Sequence, residues 1–362
     1  MADILYDTRL KSEEAPKVII LTHGDADGLV SAMIVKSFEE MENELQNKNK
    51  TFLIMSSMDV TSEQTDKTFD YICKYTSLGP KDRVYILDRP IPSIDWLKMK
   101  YLAYTNVINI DHHLTNKPTL YKDECCCENI FFHWNDKWSA AYLTLEWFKP
   151  LVEKAECYKN LYKKLEDLAI ATSYWDIFTW KNLGNSPEET LLKKRALSIN
   201  SAEKILGSGA FYNFITKKIN SKNYTEEVFD YFFLLDEAYS LKIDNLYDFA
   251  KRVISDFDFK GYKIGVIYGI EGDYQSIIGD KILVDKKLNY DAVAFLNVYG
   301  TVSFRSKDDV DVSEIAQKLG MLVGYSGGGH KHAAGCRICD KDEMKRKMFE
   351  IFEHSMDKIR IL

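Results

Sequence analysis

Residues 18–41 read VIILTHGDADGLVSAMIVKSFEEM. Four apolar residues, 18–21, lead into the turn-like THGDADG. After it Leu29, Val30, Met33, Ile34, Phe38 and Met41 recur with helical spacing over 29–41. This is a strand, a loop and a helix in succession. Short apolar runs return at 52–55, 84–87 and 107–110, separated by segments long enough to hold crossover helices. The pattern predicts a parallel sheet with helices on its faces, the α/β class.

Beyond this region the character changes. Residues 139–250 are rich in Leu, Lys, Glu and Tyr with few β-branched runs, and read as mostly helical. From Tyr262 onward strands return in YKIGVIYG, AVAFLNVY and TVSFRS, with helical stretches over 312–319 and 340–359. The last hundred or so residues read as a smaller, separate α/β domain. A chain of 362 residues is long enough for two cores.

Composition sets further bounds. Hydrophobic residues at 46% and charged residues at 28% match a folded, soluble chain. No apolar run approaches the roughly 18 residues that span a bilayer, and the start, MADILYDTRLKSEE, is unlike a secretory signal, so a cytoplasmic location is expected. Seven cysteines, three of them adjacent at Cys125, Cys126 and Cys127, form no disulfide framework and favour a reducing compartment. A net charge of −7 argues against coating long nucleic acid, which needs many phosphate contacts from a basic face, but leaves short oligonucleotides open.

The placement of acids and imidazoles points to chemistry. His23, Asp25 and Asp27 follow one apolar run, Asp88 ends the next in VYILD, and Asp111-His112-His113 ends a third in VINIDHH. Ligands bind at the carboxyl ends of strands in open parallel sheets, so these residues predict one shared site. Crowded carboxylates take up protons unless cations neutralise them. Mixed imidazole and carboxylate donors suit Mn²⁺, with Mg²⁺, Co²⁺ or Fe²⁺ as competitors, and two such ions can activate a water as nucleophile. A lone Asp after a strand is ordinarily a turn former or cap; the joint placement is what argues otherwise. HGDADG is not a calcium loop, since Lys36 stands at the twelfth position from Asp25, and it lacks the glycines of a dinucleotide fingerprint.

A second cluster, Gly327-Gly328-Gly329-His330, precedes Ala333-Ala334-Gly335. It reads as a glycine-rich loop whose backbone could approach an anion closely, against the plain alternative of a flexible loop. It is not a Walker A loop, because His330 stands where that motif has Lys. A zinc site from Cys336-x-x-Cys339 with residues 125–127 lacks a convincing second half.

On these motifs the chain resembles the DHH phosphoesterases that carry a DHHA1 C-terminal domain. Asp111-His112-His113 is the name-giving motif, His23, Asp25, Asp27 and Gly28 match the first motif, and Asp88 matches the lone strand-end Asp. Asp176 in ATSYWDIFTW is the candidate for the fourth, with Asp167 as fallback. The resemblance implies that His23, Asp25 and Asp88 hold one metal while Asp27, Asp88, His112 and Asp176 hold the other, with Asp88 bridging. It further implies that Asp111 orients an adjacent histidine and that His113 faces the scissile phosphate. Arg305, Ser306, Gly327, Gly328, Gly329, His330 and His332 would bind substrate. The implied layout is a DHH catalytic domain over 1–225, helical from about 139, a helical linker over 226–255 and a DHHA1 domain over 256–362.

Within the family, HGDADG, WDIFTW and the long helical middle resemble the nanoRNase or B-type oligoribonuclease branch. The expected activity is Mn²⁺-dependent hydrolysis of short RNA or DNA oligonucleotides to nucleoside monophosphates, with Arg305 adding cationic stabilisation. Alternatives are a RecJ-like single-strand DNA exonuclease, a pAp phosphatase or cyclic-dinucleotide phosphodiesterase, a small-molecule phosphatase or pyrophosphatase, and a nucleotide-sensing binding protein. Neither a membrane nor long duplex nucleic acid is expected as a partner, and a homodimer is compatible with the reading.

Overall fold

The computed structural model describes residues 3–8, 15–58, 62–91, 105–113, 129–259, 261–297, 299–307, 310–340, 342–343 and 346–347. The chain divides into two compact units, Met1–Glu237 and Ala238–Leu362.

The first unit is built on strands β1 (Asp3–Asp7), β2 (Lys17–His23), β3 (Thr51–Ser57), β4 (Arg83–Leu87), β5 (Asn106–Asp111) and β6 (Ile130–Trp134), in the order β1-β3-β2-β4-β5-β6. β2 through β6 run parallel, while β1 is an antiparallel edge. The sequence runs anticipated β2 to β5. β1 and β6 are partly exposed and hold apolar runs of only three residues, Ile4 to Tyr6 and Ile130 to Phe132, too short to stand out.

Alternate residues of β2 explain the layering. Val18 and Ile20 pack with Leu29, Met33 and Phe38 of helix α1 (Ala26–Gln46), whereas Ile19 and Leu21 pack with Phe69 and Ile72 of α2 (Ser62–Tyr75). With both faces covered, the strand has no polar side to show and reads as an uninterrupted apolar run. Asp25 starts α1, its Oδ1 accepting a hydrogen bond from Gly28 N at 3.1 Å.

The middle of the chain is helical: α3 (Ala140–Val152), α4 (Glu156–Asp176), α5 (Pro187–Leu206), α6 (Ser208–Lys218) and α7 (Tyr224–Val253). The stops are local. Ser186 and Glu189 form a capping box at the start of α5, with Pro187 in its first turn, and Gly207 at φ 73° separates α5 from α6.

The second unit holds β7 (Ser255–Phe259), β8 (Tyr262–Tyr268), β9 (Ala292–Leu296), β10 (Thr301–Ser306), β11 (Gly327–His330) and β12 (Ala333–Arg337), in the order β11-β12-β10-β9-β8-β7. Helix α8 (Gly272–Val284) covers Val293 and Phe295 through Ile278 and Ile282, and α9 (Val312–Leu322) covers Ala292, Ala294 and Phe304 through Val312 and Ala316. The glycine cluster is a correction to the sequence reading: it forms a strand, β11, paired along its length with β12. Gly327 lies so close under α9 that a Cβ there would stand 2.1 Å from Ala316 O, so packing against the helix is what demands glycine. Of the helix expected over 340–359, most lies outside the described residues, as do residues 125–127. No helix among the described residues is long and apolar enough to cross a membrane.

Candidate metal centre

β2 hydrogen-bonds β3 on one side and β4 on the other, so the chain reverses its direction of sheet growth between them. Such a switch point opens a crevice at the carboxyl ends of the two strands. His23 is the last residue of β2, Asp88 directly follows β4, and Asp111 ends β5 with His112 and His113 next. Asp27 sits in the first turn of α1, and Asp176 is the last residue of α4.

These side chains meet. His23 Nδ1 lies 3.0 Å from Asp25 Oδ2 and 3.3 Å from Asp88 Oδ2. His112 Nε2 lies 3.3 Å from Asp88 Oδ1, 3.2 Å from Asp176 Oδ2 and 3.8 Å from Asp27 Oδ2. Three overlapping groups have donor atoms within 4.8 Å of one another: His23, Asp25 and Asp88; Asp27, His112 and Asp176; Asp88, His112 and His113. Asp88 thus offers one oxygen to each side of the cluster. Asp167, on α4, is bonded instead to Arg195 at 2.8 Å.

Asp111 Oδ1 lies 2.8 Å from His113 Nδ1. That contact fixes the ring and places its proton on Nδ1 when the imidazole is neutral. His113 is the most exposed of the three histidines, with 38% of its side chain open.

The backbone at Asp88 is unusual. At φ 54° it adopts the left-handed region that non-glycine residues rarely enter. Neighbours hold it there: Asp88 N donates to Ile110 O at 2.9 Å, and Asn109 Nδ2 donates to both Ile86 O and Arg89 O. The wholly buried Arg89 donates from Nη1 to Thr22 O at 3.3 Å. Strain of this kind collects where function requires a fixed side-chain position.

Charge is out of balance in the cluster. Burial pushes Asp27 up to about 7 and Asp176 up to about 9, with Asp88 repelling both and Asp27 also repelling Asp176. Burial alone would lower His23 and His112, but the surrounding carboxylates prevail and hold both at about 10. Asp88 Oδ1 and Asp176 Oδ2 are buried without a hydrogen bond. Buried oxygens lacking donors, among carboxyls that retain protons, are what a divalent cation would satisfy. The hard oxygen and imidazole donors fit Mn²⁺, Mg²⁺, Co²⁺ or Fe²⁺.

Several supporting residues escaped the sequence reading. Ser139 Oγ, Ala140 N and Ala141 N, at the start of α3, all donate to Asp27, at 2.6, 2.9 and 2.9 Å. Ser208 Oγ donates to Gly24 O at 2.5 Å; burial alone would raise Asp25, but its contact with His23 prevails and holds it low, with the charge of Lys204 adding to this. A polar Asn109 inside an apolar strand was a visible signal; Ser139 left none, since it is joined to Asp27 only by the fold.

The remaining site residues belong to the second unit. Register places His330 opposite Ala333 on one side and Arg305 opposite Ala333 on the other, so the two flank one residue of β12. Arg305 donates to Ser276 Oγ and Phe304 O, and Ser306 Oγ donates to Val310 O. Gly327, Gly328 and Gly329 continue along β11, and His332 O accepts from Ser306 N at 3.2 Å. Cys336 and Cys339 are buried, and no metal-ligating group among the described residues includes them.

An open parallel sheet that gathers overlapping His/Asp groups at its switch point defines a protein of the metal-binding α/β class. Residues 17–172 match the DHH family N-terminal domain and residues 264–357 match the DHHA1 domain. The chain belongs to the DHH family and carries a DHHA1 domain. Among curated proteins it has no significant sequence match.

Solved structures with the same fold include an exonuclease RecJ bound to manganese, at 16% identity and TM-score 0.51, over 92% of this chain and 88% of that one. RecJ from Thermus thermophilus in complex with Mn²⁺ aligns at 15% identity and TM-score 0.52, over 90% of this chain and 50% of that one. The DHH domain of a protein described as a member of a ribosomal-protein family aligns at 15% identity and TM-score 0.54, over 94% of this chain and 86% of that one. At such identities these likenesses show the fold alone.

Proposed function

We propose that the protein is a metal-dependent phosphodiesterase that hydrolyses short single-stranded oligonucleotides from an end, releasing nucleoside monophosphates. The observation that carries the reading is Asp88, whose two oxygens lie 3.3 Å from His23 and 3.3 Å from His112. One carboxylate shared between two ligand groups is the arrangement that two-metal phosphoryl-transfer sites require. His23, Asp25 and Asp88 would hold one ion, and Asp27, Asp88, His112 and Asp176 the other. Such ions would supply a nucleophilic water and neutralise charge on the phosphoryl oxygens.

The chain's own groups do the rest. Asp27, clamped by three donors from α3, keeps its carboxylate in one orientation. His113, aligned by Asp111, holds a proton at Nε2 for the leaving oxygen, and the Asp111 contact raises its affinity for that proton. Arg305, Ser306, the three glycines of β11, His330 and His332 are the proposed substrate-binding residues of the second unit. Arg305 serves as a planar guanidinium suited to phosphate. The net charge of −7 favours short substrates, which need few phosphate contacts. Mn²⁺ is the proposed ion, and the cytoplasm the proposed location.

The test is a substrate panel with Mn²⁺: RNA and DNA strands from roughly two to thirty nucleotides, pAp and cyclic dinucleotides. Turnover should be fastest for strands of roughly two to five nucleotides, whose few phosphates suit an acidic protein. Faster digestion of long single strands would overturn the length preference in favour of a RecJ-like exonuclease. Binding without hydrolysis of any member would point to a nucleotide sensor.

A further inference from the structure

Residues 175–181 read WDIFTWK, and Asp176 within them belongs to the His/Asp cluster, 3.2 Å from His112. Immediately after α4 the backbone turns at Phe178, whose φ of 59° is one that a bulky aromatic residue rarely adopts, and enters a single 3₁₀ turn, Thr179–Asn182. That turn gathers three aromatic rings. Trp175 and Trp180 stack at 6.1 Å with planes 10° apart, and Phe178 abuts Trp175 at 6.2 Å and 52°.

Two lysines attend the same rings. Lys181 Nζ stands 5.0 Å from the centre of Phe178 and 5.6 Å from that of Trp180, and Lys193 Nζ stands 5.7 Å from Trp180. Phe178 nonetheless stays 57% exposed. Packing does not account for a large apolar ring left open to solvent on a strained residue, next to a polar cluster. Consecutive Cα atoms are about 3.8 Å apart, so the Cα of Phe178 lies within about 8 Å of that of Asp176. One nucleotide spans that separation between its phosphate and its base.

We infer that Phe178, backed by Trp175 and Trp180, is the stacking surface for the base of a nucleotide whose phosphate lies at the His/Asp cluster. The inference rests on the phosphodiesterase reading of that cluster and adds a ligand class to it. Aromatic faces interleaved with cations are how proteins hold single-stranded nucleotides, and every base offers a face to stack. The surface therefore selects for the presence of an unpaired base and discriminates little among the four. Pyrophosphate and sugar phosphates gain nothing from it, and bases already stacked in a duplex cannot use it.

The experiment compares AMP with ribose 5-phosphate, which shares the phosphate and sugar but lacks the base. Both are titrated into the Mn²⁺-loaded full chain, with the heat of binding measured by calorimetry as the readout. Wild type should bind AMP roughly 5- to 150-fold more tightly than ribose 5-phosphate, the range that one stacked base contributes. Phe178→Asn, which accepts the left-handed backbone, should abolish that preference while leaving ribose 5-phosphate affinity and metal content unchanged. Phe178→Trp should retain it. Absence of the preference in wild type, or its survival in Phe178→Asn, overturns the inference. Hydrolysis of the oligonucleotide panel is read separately, so the stacking surface and the enzymatic reading can fail independently.

Discussion

Ser139 Oγ donates a 2.6 Å hydrogen bond to Asp27 Oδ1 across 112 residues of chain. The start of α3 adds two backbone donors to the same carboxylate, so a helix far along the chain holds an acid in the first turn of α1. Ser139→Ala removes a hydrogen bond to a buried acid, which should cost about 1–3 kcal/mol of stability in denaturant unfolding. Loss of a group that orients a ligand should also weaken Mn²⁺ binding by about 10- to 100-fold. Calorimetric titration giving wild-type affinity would remove Ser139 from the support of the site.

Asp88→Asn separates charge from backbone. Asn tolerates the left-handed conformation that Asp88 adopts at φ 54°, so the fold should persist by circular dichroism. Both groups of ligands lose the negative charge of the carboxylate they share, and metal content measured by elemental analysis should fall for both ions together. Loss of one ion with full retention of the other would contradict the bridging assignment.

Gly28→Ala tests how tightly α1 sits on β2. A Cβ at this position would stand 2.4 Å from His23 O and 2.7 Å from Thr22 Oγ1, so helix and strand must separate. Overpacking of this kind should lower stability by about 1–3 kcal/mol. His23 moves with its carbonyl, so metal affinity should drop alongside; an unchanged melting temperature would show that the contact relaxes freely.

Acid sensitivity should trace in part to Glu42, remote from the metal cluster. Burial works to raise its carboxyl, but hydrogen bonds from Lys50 and Arg83 prevail and hold it at about 2, below its ordinary 4.5. A folded value below the unfolded one means the stabilisation is complete above pH 4.5 and is lost as pH falls towards 2. Melting temperature should therefore drop more steeply over that window in wild type than in Glu42→Gln. Parallel profiles would falsify the contribution of this ion cluster.

The order of legibility follows the range of the interactions. Residues 18–41 set β2, the turn and α1 by themselves, because apolar spacing and the cap at Asp25 act within a few residues, and a strand's end fixes where His23 lies. The same logic places Asp88 and Asp111 at the ends of β4 and β5 and makes the sheet parallel. Three things came only with the tertiary structure. The contact of Asp176, preferred from the resemblance with Asp167 as fallback, with His112 depends on where α4 ends in space; Gly327 to His330 form a strand because β12 supplies partners, and Ala316 of α9 leaves no room for a side chain at position 327; and Ser139 holds Asp27. Spacing along a chain determines which residues share an element and a face. Which faces then meet is decided by packing between elements distant in sequence, and no local pattern records it.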